Sequence, residues 1–163
     1  MKKLLFLLMA ILAILPTASM AKGFYTGFGA GINADGGTAF LVGGHFGFRA
    51  IPILGIVVEG TFHTQSVFDV RTNGIAVGGG ADIFILAFTR HKLIIDPYIY
   101  GRGGFDRTFG DAGDNGGYAR FGGGVPFDLG VVKPYAELGV NISFGHGDSQ
   151  GSFNLAGGLR FNL

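Results

Sequence analysis

Six ionisable residues fall at interior positions of alternating segments: Glu59, Asp82, Arg102, Arg120, Glu137 and Arg160. Such a set could line a gated polar path for ions, or could neutralise itself as an internal ion-pair network. Glu137 and Arg160 fall on adjacent segments at similar depth, as do Asp82 and Arg102, so these are the expected pairs. Glu59 and Glu137 are also of the type that does acid–base work when a cleft holds both against a substrate. Their spacing argues no such cleft. His45, His63, His91 and His146 are scattered and lack metal-ligand spacing. The run Gly110–Gly117 holds Asp111, Asp114 and Asn115, but lacks the acidic spacing and closing Glu of a calcium loop; a surface loop is expected. His146, Asp148 and Ser149 spell the letters of a hydrolase triad, yet neighbours in one turn rarely adopt triad geometry. Gly78–Gly80 and Gly122–Gly124 lack the Lys-Ser/Thr ending of a phosphate loop and are expected to permit curvature instead. No catalytic residue, metal or cofactor is expected.

The elements that carry these residues alternate with period two, the mark of half-buried strands. Phe24 to Ile32 sets Phe24, Thr26, Phe28, Ala30 and Ile32 against Tyr25 and three glycines, with a turn at Asn33–Gly37. The second segment sets Phe40, Val42, Phe46 and Phe48 against Leu41, His45 and Arg49, and Pro52 marks the next turn. The third sets Leu54, Ile56, Val58 and Phe62 against Val57, Glu59, Thr61 and His63, turning near Ser66. The fourth sets Ile75, Val77 and Ile83 against Ala76 and Asp82. An apolar stretch, Ile83–Phe88, then leads into a turn at Thr89–Lys92. Pro97 opens the fifth, and a polar loop runs from about Arg107 to Gly117. The sixth carries Tyr118 and Arg120 opposite Ala119 and Phe121. Pro134 opens the seventh, and Gly145–Gly151 turns into the eighth, Phe153–Leu163.

All six charges lie opposite the apolar residues of their segments. All five tyrosines (Tyr25, Tyr98, Tyr100, Tyr118, Tyr135) share that polar face, whereas most strand phenylalanines take the other. A buried hydroxyl needs a partner, while a bare ring suits hydrocarbon. Glycine supplies 32 of 163 residues, far above the usual share of about 7%. A soluble core of glycine, arginine and carboxylate would pack poorly, but a barrel lumen accepts them. The fold class expected is all-β: a transmembrane, antiparallel, up-and-down β-barrel of eight strands. An even strand count puts both chain ends on one side.

Lys2 and Lys3, the apolar run Leu4–Leu15, Pro16 and the small residues Ser19 and Ala21 form a secretory leader, so residues 1–21 are expected to be cleaved and 22–163 to form the barrel. Of the 12 lysines and arginines two lie in that leader, leaving ten against 11 acidic residues. That balance gives no basic patch for nucleic acid. Cysteine is absent, which excludes a disulfide framework and a lipid-acylated cysteine.

The pattern resembles the small eight-stranded outer-membrane barrel proteins of Gram-negative bacteria, the superfamily of the OmpA membrane domain, OmpX and the opacity-like proteins. The leader carries the resemblance, with Pro97-Tyr-Ile-Tyr-Gly-Arg-Gly-Gly-Phe105, Pro134-Tyr-Ala-Glu-Leu-Gly-Val140 and the alternating end Leu155-x-x-x-Leu159-x-Phe161-x-Leu163. The resemblance implies outer-membrane location, with lipid and lipopolysaccharide around a monomeric barrel. It also implies that Leu159, Phe161 and Leu163 form the signal read by the barrel-assembly machinery, although the family usually ends in an aromatic residue. The expected role is structural or surface-contacting, with at most a narrow pore. A lipid A-modifying enzyme, a small ion-conducting porin and a soluble lipocalin-like carrier are the rival readings.

Overall fold

A computed structural model describes residues 23–35, 37–67, 70–85, 94–109, 115–145 and 149–163. The expected leader, His91, His146, Asp148, Asp111 and Asp114 lie outside them. Eight strands follow one another: β1 (Gly23–Asp35), β2 (Gly37–Ile51), β3 (Leu54–Val67), β4 (Val70–Phe84), β5 (Tyr98–Phe109), β6 (Asn115–Pro126), β7 (Val132–Phe144) and β8 (Ser149–Asn162). Each pairs antiparallel with the next, and β8 pairs with β1, so the sheet closes on itself. Closure leaves no edge strand and gives every strand two ladder partners, a condition that hydrocarbon imposes on any spanning sheet.

The strands are longer at the hairpin end than the alternating segments suggest. The expected turn at Asn33–Gly37 is mostly ladder, with Asn33 paired to Ala39 and Asp35 to Gly37. Ser66 pairs with Arg71 rather than turning. In the expected loop from Arg107 to Gly117, the described residues 107–109 and 115–117 are strand, with Arg107 paired to Asn115 and Phe105 to Gly117. Backbone hydrogen bonds hold the ladder past the alternating segments. At the opposite end lie Gly23 and Leu163, the Pro52 turn, Ile94 to Pro97 and the turn after Pro126. There Leu163 N–H donates to the Phe24 carbonyl at 2.8 Å and Phe127 N–H to the Pro134 carbonyl at 2.8 Å. A register shift at Arg49/Ile51 ends β2 on that side. β7 starts two residues before Pro134, which sits opposite Leu159.

The two faces are sorted against the habit of soluble sheets. Val58, Val77, Phe105, Phe121, Leu138 and Phe153 all point outward and are exposed, Phe105 at 82%. Tyr25, Tyr98, Tyr100, Tyr118 and Tyr135 are inside and buried, as are all six interior charges. The wall itself makes room for these rings. Tyr25 pairs with Gly47, Tyr98 with Gly124 and Tyr100 with Gly122. A Cβ at Gly47 or Gly124 would collide with the facing ring, and one at Gly78 with the Tyr118 hydroxyl. Each glycine run therefore provides a seat for a tyrosine. Replacing Gly47 with Ala is expected to destabilise the barrel by about 1–3 kcal/mol, the usual cost of overpacking. Most of that cost should vanish when Tyr25 is already Ala. A double-mutant cycle in urea measures the coupling; additive effects would show that the ring does not need the space.

Candidate functional site

The barrel interior divides into three levels. At the terminal end, alternation continues past Asp82 and turns Phe84 inward, where it is buried against Tyr98, their ring centroids 5.6 Å apart. Arg49 covers it, with its guanidinium carbon 3.7 Å from the Phe84 ring centroid. Arg49 donates to the Pro52 carbonyl at 2.8 Å and to Asp96 at 2.8 Å, which fixes it across the mouth. Sequence reasoning does not single out Phe84, Arg49 or Asp96. A signal for Phe84 exists, since it stands two residues beyond Asp82 on an unbroken period.

The middle level is the charge network. β5 places Arg102 at its centre, with 2% of its side chain exposed. Arg102 Nη2 donates to Asp82 Oδ1 at 2.9 Å and to Glu137 Oε1 at 2.9 Å, while Nη1 lies 3.3 Å from Glu59 Oε2. Three carboxylates from β3, β4 and β7 thus converge on one guanidinium. The tyrosines complete their shells. Tyr98 Oη donates to Glu137 at 2.5 Å, Tyr118 Oη to Glu59 at 2.7 Å and Tyr25 Oη to Asp82 at 3.1 Å. Arg160 donates to Tyr98 Oη at 3.0 Å and lies 3.5 Å from Asp82. Arg120 lies 3.4 Å from Glu59. Arginine planes also cover rings: Arg102 over Tyr100 at 4.4 Å, and Arg160 over Tyr25 at 4.6 Å. Three guanidiniums balance three carboxylates, so the level carries no net charge.

The expected pairing is half corrected. Asp82 does meet Arg102, but Glu137 is bonded by Arg102, while Arg160 reaches Asp82 instead. In register, Glu137 faces Ala156 and Arg160 faces Lys133, so the two lie at different heights along β7 and β8. Closing a barrel staggers neighbouring strands, and sequence depth alone does not reveal that stagger. Glu59 and Glu137 share Arg102, and each also accepts from a tyrosine hydroxyl. His45 is buried on the lumen wall, with Tyr25 and Tyr135 ring centroids 6.0 and 5.6 Å from its own. His63 stands higher, 3.6 Å from Asp106. Among the described residues no group of three His, Cys, Asp or Glu side chains could hold a metal ion.

The upper level is an open cup of about 410 Å³ at the hairpin end. Tyr118 and Arg120 line its floor, and amide and hydroxyl side chains line its wall. Below Arg120, among the described residues, a space of about 50 Å³ lies between His45, Glu59, Arg102 and Glu137. The cup is therefore blind. Ser149, the one described residue of the triad-like run, is exposed at the start of β8. Leu159 and Phe161 lie on the outward face of β8, where Phe161 stacks on Phe28 at 5.9 Å, and Leu163 just beyond the strand is exposed.

No protein-family model matches the chain, and no curated protein matches it. Solved structures do. Neisserial surface protein A superposes with a TM-score of 0.67 at 14% identity, over 87% of this chain and 97% of that one. A major outer membrane protein from Thermus thermophilus gives 0.58 at 13%, over 88% and 100%. The N-terminal β-barrel domain of Pseudomonas aeruginosa OprF gives 0.53 at 14%, over 86% and 100%. At such identities the likeness is one of fold. The apolar outside, the charged lumen and these superpositions agree that the chain has the fold of the small eight-stranded outer-membrane β-barrels.

Proposed function

We propose that the chain is an integral outer-membrane barrel that serves the envelope as a structural and surface-contacting element and does not conduct ions. The observation that carries this reading is the filled lumen. Arg102 joins the carboxylates of β3, β4 and β7 across the bore, and Phe84, Tyr98 and Arg49 cover the terminal end. An eight-stranded interior is just wide enough for such side chains. Residues 1–21 direct export, and the barrel then sits with both ends of 22–163 in the periplasm and its hairpins outward. Lipid and lipopolysaccharide surround the apolar belt. The assembly machinery reads Leu159, Phe161 and Leu163 at the end of β8. The sheet closes within one chain, which supports a barrel that works as a monomer. The three carboxylates of the charge network are each held by arginine and tyrosine, which supports a non-enzymatic role.

Planar bilayer recording tests this. Purified barrel is expected to give no stepwise conductance. Steps that change in size when Arg102 or Glu137 is replaced would make it a pore and overturn the reading.

A further inference from the structure

We infer that the blind cup at the hairpin end is a binding site for a hydroxyl-rich saccharide unit. Its volume of about 410 Å³ falls within the range of small-molecule sites, about 300–1,000 Å³. Its wall is unusual for such a site in being polar on most sides. Asn33, Thr61, Gln65, Asn141 and Ser143 present amides and hydroxyls toward one space. Amides and hydroxyls both donate and accept, which matches the paired demand of a sugar hydroxyl and suits an apolar ligand poorly.

Charged side chains also line the cup: Arg120 on the floor lies 3.4 Å from Glu59, and Asp106 on the wall lies 3.6 Å from His63. The groups are partly preorganised. Asn141 Nδ2 donates to Ser143 Oγ at 3.2 Å, and Asn154 Nδ2 donates to Asn33 Oδ1 at 2.7 Å. Arg120 closes the floor at 9% exposure, with its Nε buried and without a partner among the described residues. Tyr118 adds aromatic surface of the kind sugar rings lie against. The narrowing below Arg120 stops the ligand there, so the cup holds a saccharide and does not pass it. Such a unit reaches the cup as free sugar or as the carbohydrate of neighbouring lipopolysaccharide.

This inference deepens the surface-contacting role and rests on the hairpin end facing outward. The test is amide NMR of the whole barrel in micelles whose detergent has no sugar headgroup. Two probes are titrated: maltose, and the oligosaccharide released from lipopolysaccharide by removing its lipid. Saturable shifts are expected at Thr61, Gly117, Asn141 and Ser152 with millimolar midpoints. Shifts from both probes indicate general sugar binding, and shifts from the oligosaccharide alone indicate a lipopolysaccharide source. The double variant Gln65→Leu/Ser143→Leu should bind about tenfold more weakly; Gln65→Leu alone serves if the double variant loses its heat-dependent gel mobility. No saturable shift from either probe, equal shifts at terminal-end residues such as Gly55, or unaltered binding by the filled cup would overturn the inference. Failure of binding in a barrel that keeps its mobility shift removes the sugar site and leaves the closed-barrel reading in place.

Discussion

Replacing Arg102 with Met is expected to cost about 3–5 kcal/mol, the usual penalty for removing one partner of a buried ion pair. The reason lies in what remains. Asp82, Glu59 and Glu137 have side chains no more than 5% exposed, and each gives at least one oxygen to Arg102. Without it, three carboxylates face two guanidiniums, and Glu137 keeps only the Tyr98 hydroxyl among its described bonds. Adding Glu137→Gln to Arg102→Met restores the balance and should recover a large part of the loss. Urea unfolding in lipid vesicles, followed by circular dichroism, reads both variants. An Arg102→Met barrel as stable as the parent would show that the network does not hold the lumen together.

The outward face makes the second large prediction. Val58 is 57% exposed on that face, and its ladder neighbours are Phe46 and Gly79 near the middle of β2 and β4. Val58→Arg is expected to destabilise the barrel in a bilayer by about 2–4 kcal/mol. Phe40, three residues from the β2 hairpin end and 60% exposed, should tolerate Arg at a cost of about 0–1 kcal/mol. The contrast is the diagnostic quantity, because hydrocarbon penalises charge by depth. Equal and small costs at both positions would mean that the face meets water, as in a carrier with an apolar outside patch.

Much of this architecture is legible in the chain because two signals carry it. Alternation assigns Tyr25, Glu59, Arg102 and Arg160 to one face without any knowledge of pairing, and turn residues separate eight such segments. What alternation leaves out depends on register. The stagger that brings Arg160 to Asp82 rather than Glu137 arises only when the sheet closes. The seating of Tyr118 over Gly78 crosses β5 between them, a relation no linear spacing contains. Strand ends are hidden for another reason. Beyond the hydrocarbon belt polar residues such as Ser66 and Asn115 continue the ladder, and their chemistry resembles that of turns. The cup follows from those extensions, since Gln65, Ser143 and the residues around them wall it only because the strands run on.

The central claim is a closed barrel seated in the outer membrane with its polar face inward. Fractionation of expressing cells, followed by gel migration of unheated and boiled samples, tests it most directly. Recovery in the outer membrane is expected, with faster migration of the unheated band, as a closed sheet resists unfolding by detergent. Recovery as soluble periplasmic protein with identical migration would contradict it.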